Sequence, residues 1–130
     1  MPTSGVDFET DFLETLLADQ GLKDLVGEKI FMMRVPNNFR LPIVVCWRIS
    51  GQPANTLSGF SGLEYINMQI DCLGRNYEEA KALAKAVRKA VPPTGPVWGA
   101  HLQSDKDQYI KETNHYRVIM EYDVWYLEQE

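Results

Sequence analysis

The sequence has little of what chemistry at a protein site requires. It holds two cysteines and two histidines. Cys46 and Cys72 each sit inside an apolar run, where a thiol is inert. They read as buried thiols of a reduced compartment, not as a disulfide framework, and their spacing leaves open whether they lie close in space. His101 with Asp105 and Asp107 is the one grouping that suggests a metal or an acid/base pair. It lacks the paired ligand spacing of a metal site, so neither a metal nor a cofactor is expected. No glycine-rich phosphate loop and no G-x-S-x-G elbow occurs. No apolar run approaches the ~18 residues that span a membrane, and the opening MPTSGVDFETDF has no apolar signal core. A protein made in the cytoplasm with no membrane partner is the expectation. Positive charge is also short: 13 Lys and Arg stand against 18 Asp and Glu, a net charge of -5. That balance argues against a protein that grips phosphates or reads bases, though not against one past which DNA slides.

What is present is a pattern for one α+β domain spanning 1–130, with 1–7 a flexible polar lead. Asp7 or Ser4 can cap a first helix whose apolar face is Phe8, Phe12, Leu13, Leu16 and Leu17. Gly21 is expected to stop it. A short turn follows, with Leu22, Leu25 and Val26 inward and Gly27 as its end. KIFMMRV reads as a short strand. IVVCWRIS reads as a second, with Ile43, Val45, Trp47 and Ile49 on one face; its first half is apolar on both faces, which places it inside the sheet. In a third strand Ile66, Met68, Ile70 and Cys72 alternate with Asn67, Gln69 and Asp71, which gives one wet face.

Gly74 and Asn76 make a turn, with Asn76 and Glu79 in a capping-box-like spacing. A long helix then carries the stripe Tyr77, Ala80, Leu83, Ala84, Val87 and Val91, opposed by Glu78, Lys81, Lys85 and Lys89 as a solvated face. VWGAHLQS and HYRVIMEYDVWYLE supply the last strands. In the final one, Val118, Met120, Tyr122, Val124 and Tyr126 share a face. The order α-β-β-β-α-β-β predicts a mainly antiparallel sheet of about five strands, with two main helices packed on it.

Three connections stand out. The segments 36–42 and 52–62 read as loops with apolar tips at Phe39, Leu57 and Phe60, which are candidate anchors for self-association. The segment 104–114, SDKDQYIKETN, reads as a polar connection that nonetheless carries Tyr109 and Ile110 side by side. That pair is a candidate partner-docking point.

Composition and spacing alone reach no function. The serial order of elements goes further. LVGEKIFMMRVPNNFRLPIVVCWRISGQPANTLSG, then INMQIDCLGRNYEEAKALAKAVRKAV, then DQYIKETNHYRVIMEYDVWY, resembles the small tail completion proteins, or tail terminators, of long-tailed bacteriophages and gene transfer particles, and the resemblance covers roughly Leu22 to Tyr126. The resemblance implies structural work, not enzymatic work. Such proteins form rings, usually hexamers, that cap the tail tube, stop its growth and meet the head–tail connector protein while DNA passes the lumen. The implied partners are further copies of the chain, the tail tube protein and the connector. The implied location is the head-proximal end of the virion tail, after synthesis in the host bacterial cytoplasm. Two other readings remain open: a connector or stopper subunit, and a small-molecule-binding α+β regulatory domain. Against the latter stands the lack of convergent polar groups in an apolar setting.

Overall fold

Phe8, Phe12 and Leu16 recur at helical spacing, and all three are buried. They define α1, Phe8–Ala18. The chain breaks at Asp19, not at Gly21. Asp19 adopts an extended conformation, and its carboxylate accepts the Leu22 N–H at 3.0 Å. It therefore caps a separate helix, α2, Gln20–Val26, within which Gly21 lies. A capping carboxylate outcompetes glycine because it satisfies a free N–H of the new helix. Gly27, at φ 63, ends α2 as expected. Leu22 and Val26 point inward, but Leu25 is exposed, since the helix is too short to bury two faces.

The computed structural model describes residues 8–56 and 59–128. The expected cap at Ser4 or Asp7 lies outside them. After α2 come β1 (Ile30–Met32), β2 (Ile43–Thr56), β3 (Gly59–Gly74), α3 (Tyr77–Ala90), β4 (Trp98–Ile110) and β5 (His115–Leu127). The strands form one sheet in the order β1-β2-β3-β5-β4. Among the described residues only the β1–β2 pairing is parallel. The fold is α+β, with the expected elements in the expected order and α2 as a third, short helix.

One face of the sheet carries the core. Val44, Cys46, Ile66, Met68, Ile70, Cys72, Val118, Met120, Tyr122, Val124 and Tyr126 are buried there with residues of all three helices. Phe8, Phe12, Trp98 and Tyr126 form an aromatic cluster, with Phe8 edge-on to Trp98 at 5.2 Å. Such tilted ring contacts add to the burial of apolar area. Cys46 and Cys72 lie on adjacent strands of this face, because Val44 pairs with Cys72 and Cys46 with Ile70. Both thiols are free and buried, and burial pushes both well above the usual thiol range.

At the β3–α3 junction, Asn76 caps α3 by accepting the Glu79 N–H at 2.8 Å. The Glu79 carboxylate reaches back to the Arg75 N–H, one residue earlier than a capping box places it. A Cβ on Gly74 would stand 2.6 Å from the Ala80 nitrogen, so only glycine allows this strand to turn so tightly into this helix. Ala80, Leu83, Ala84, Val87 and Val91 are buried, whereas Tyr77 is exposed at the first turn.

Two connections expected as loops are strands. The segment 52–62 belongs almost wholly to a β2–β3 hairpin that pairs out to Thr56 opposite Gly59. Most of the segment 104–114 continues β4, leaving a turn at 111–114 closed by Asn114 at φ 55, a conformation asparagine tolerates. Polar residues fill both stretches because their described side chains are largely exposed, and those of β4 that face α3 meet its charged side. An alternation test misses such strands.

Candidate functional site

The sheet face opposite the helices is open, and its centre is polar by construction. Asp71 belongs to the expected wet face of β3, yet it is buried. Its carboxylate accepts three side-chain donors: Trp47 Nε1 at 3.1 Å, Arg117 Nη2 at 2.8 Å and Gln69 Nε2 at 3.0 Å. Arg117 also donates to Gln108 at 3.2 Å. One carboxylate thereby ties β2, β3, β5 and β4 together on the uncovered side. A buried carboxylate is tolerated only with such partners. The sequence held Trp47, Gln69, Asp71 and Arg117 at alternating strand positions, but their mutual register, and the place of Gln108, belong to the tertiary pairing.

A cavity of 310 Å³ opens beside this network, lined by Val35, Val45, Leu73, Ile110 and His115 along with network residues. Burial and the Arg117 guanidinium lower the His115 pKa. A shallower groove of 570 Å³ lies further along the same face, with Tyr65, Asn67, His101, Asp123 and Trp125 on its walls. His101 meets the Pro93 carbonyl at 3.1 Å, while Asp105 and Asp107 face α3. The grouping imagined for a metal is thus divided between two sheet faces, and among the described residues no cluster could hold a metal ion.

The candidate interface residues separate in the same way. Phe39 is exposed on the 33–42 segment that leads from β1 to β2. Leu57 lies outside the described residues, as does the side chain of Phe60. Tyr109 and Ile110 are not a single patch. They end β4 opposite Tyr116 and His115 and point to opposite faces. Tyr109 is half exposed; its ring lies 5.0 Å from Tyr116, and its hydroxyl meets Asn114. Ile110 lines the 310 Å³ cavity.

Sequence reasoning missed the interaction between β4 and α3. Tyr77 donates its hydroxyl to Asp107 at 2.7 Å, which raises its pKa, and Lys81 stands 3.4 Å from the same carboxylate. Arg88 lies 4.0 Å from Asp105. The acidic run in SDKD opposite regularly spaced cations on the helix was the available signal. It acquires meaning only once 104–110 is a strand beside α3.

Chemically, the described surface offers packing edges, a polar sheet face and ion pairs. The model of the family described as tail completion protein gp17 matches residues 10–127. A chain in the solved virion of a native gene transfer agent (GTA) particle has the same fold: TM-score 0.78, 17% identity, with 97% of this chain and 98% of that chain covered. No curated protein matches the sequence.

Proposed function

The chain belongs to the tail completion protein gp17 family, and from that premise we propose that it is a structural virion protein that finishes a phage-type tail. It works as a ring, a hexamer, seated on the head-proximal end of the tail tube. There it ends tube growth and presents a joining surface to the head–tail connector, while DNA passes through the lumen without specific binding. It is made in the host bacterial cytoplasm and acts by occupying space, not by catalysis. The carrying observation is that the family match runs from α1 through β5, so the whole sheet and its helices are the family unit.

The charge balance agrees with a lumen that DNA must leave, since each added cationic contact to phosphate increases salt-dependent affinity. Phe39 and the tip of the β2–β3 hairpin, with Leu57 and Phe60, supply contacts between copies. Tyr109 and Ile110 lie where a tube or connector protein can touch the end of β4.

The test is deletion of the gene in a particle-producing host, followed by electron microscopy. Overlong tails separate from heads, corrected by supplying the gene in trans, are the expected result. Full heads that leak DNA beside tails of normal length would make the protein a stopper. Intact particles in normal number would overturn the assembly role altogether.

A further inference from the structure

Three rungs run unbroken across all five strands. Ile30, Val44, Cys72, Val118 and Asp107 lie side by side, and Phe31, Val45, Asp71, Ile119 and Lys106 form the next rung. Met32, Cys46, Ile70, Met120 and Asp105 form the third. The ends of these rungs are the two edges of the sheet: β1 on one side and the 105–107 part of β4 on the other. Strand senses follow from the pairings. β1 runs with β2, and β3, β5 and β4 then alternate, so β4 runs opposite to β1.

A cyclic assembly repeats its subunit by rotation alone. Rotation about an axis along the strands therefore brings β4 of one copy beside β1 of the next, at equal height and in antiparallel sense. Among the described residues neither edge has a further strand beside it; on β1 the Ile30 N–H already donates to the Glu28 carbonyl at 2.8 Å, so pairing there falls to the groups around Met32. The upper part of β4 is already engaged, because the Ala100 N–H donates to the Pro92 carbonyl at 3.0 Å. Below the irregularity between Leu102 and Ser104, the strand contains no proline and has no strand beyond it among the described residues. Charges on an edge usually guard it against pairing. Here the Asp105 and Asp107 side chains turn toward Arg88 and Lys81 of α3, which leaves the backbone edge clear.

The side chains that flank the edges are complementary. The segment 29–42 carries Lys29, Arg34 and Arg40 and no acidic residue, in a chain of net charge -5. Beside it Met33 and Val35 are exposed. Unstaggered pairing sets Met32 opposite Asp105 and Ile30 opposite Asp107.

We propose that the ring closes by strand pairing: β1 of each copy adds to β4 of the next, so the open sheets join into one continuous wall. Head-to-tail pairing of unlike edges also accounts for closure without a two-fold contact. This inference rests on the ring reading given above.

Cysteine cross-linking tests it, since both native thiols are buried. Phe31 and Lys106 share a rung and face the open side of the sheet. The variant Phe31→Cys with Lys106→Cys is oxidised and run without reductant, after circular dichroism has established its fold. The pairs Phe31→Cys with Gln108→Cys and Phe31→Cys with Ser104→Cys cover a stagger of two residues either way. Phe31→Cys with Lys85→Cys, which places the second thiol on the exposed face of α3, is the control. A covalent ladder climbing to the full ring from at least one edge pair, with none from the control or from either single variant, is expected. Wild-type rings seen by native mass spectrometry or microscopy, with no ladder from any edge pair, would overturn edge pairing and leave the ring standing. A ladder that stops at the dimer would also overturn it. A wild-type chain that forms no ring, free or on tails, would remove the ring reading and this inference together.

Discussion

Replacing Asp71 with alanine should destabilise the domain more than any other polar substitution on the open sheet face. The carboxylate accepts from Trp47, Gln69 and Arg117. A neutral hydrogen bond contributes about 1 kcal/mol net and one to a charged donor about 1.5–3 kcal/mol. Part of this is recovered, because the Arg117 side chain is 28% exposed and can turn to water. The partly buried Trp47 indole N–H is less able to do so, and leaving such a donor unpaired costs about 1 kcal/mol, the low end of the range for a buried one. The sum, discounted for solvent, is about 3 kcal/mol, or a fall in Tm of roughly 10 °C for a domain of this size. Asp71→Asn keeps the shape and one acceptor oxygen, and should lose about half as much. Guanidinium unfolding followed by tryptophan fluorescence and circular dichroism measures both. Arg117→Ala combined with Asp71→Ala should fall short of additivity by about 1 kcal/mol or more. An Asp71→Ala midpoint within about 0.5 kcal/mol of wild type would refute the view that this network holds the four strands together.

Asn76→Ala should cost about 1 kcal/mol through loss of the α3 cap, and an unchanged denaturation midpoint would show that the cap carries no weight. Gly74→Ala drives a methyl group to 2.6 Å from the Ala80 backbone nitrogen. A loss of about 2 kcal/mol or more in chemical denaturation is expected, and a neutral result would mean that the junction yields freely. The His115 pKa lies below its ordinary value of 6.5 because of burial and Arg117. Its contribution to stability is therefore present above pH 6.5 and is lost as pH falls through the lower folded value. His115→Gln should flatten the acid side of a stability–pH curve, and a curve that keeps the wild-type slope below pH 6.5 would contradict this. Phe39→Ala should raise the concentration needed for ring assembly about tenfold without moving Tm, as read by native mass spectrometry; equal assembly would remove Phe39 from the contact.

The core was legible in the sequence, and the reason is periodicity. Ile66, Met68, Ile70 and Cys72 alternate, Val118 to Tyr126 alternate, and Ala80, Leu83, Ala84 and Val87 recur at helical spacing. Burial of apolar area selects one face whatever the neighbours are, so α3, the inner stretch of β3 and β5 followed from local pattern alone. The Asn76 cap and the Gly27 stop were equally local, since each is a bond or a dihedral within a few residues of chain.

The outer half of β4 and the β2–β3 hairpin were not legible. Their strand form comes from backbone pairing with partners distant in sequence, and their polar side chains leave no apolar alternation to read. Asp71 shows the same limit in one residue. Its place in the strand marked it as wet, and only the register that sets it against Trp47 on β2 and Arg117 on β5 made it a buried acceptor. Tyr109 and Ile110 are adjacent in the chain but face opposite sides of the sheet, because successive strand residues alternate. The sequence by itself determined which residues leave water and in what order the elements come. The tertiary structure decided which strands became edges, which polar groups met across the sheet and where the surface was left open, because pairing energies between distant segments are realised only when the whole sheet is assembled.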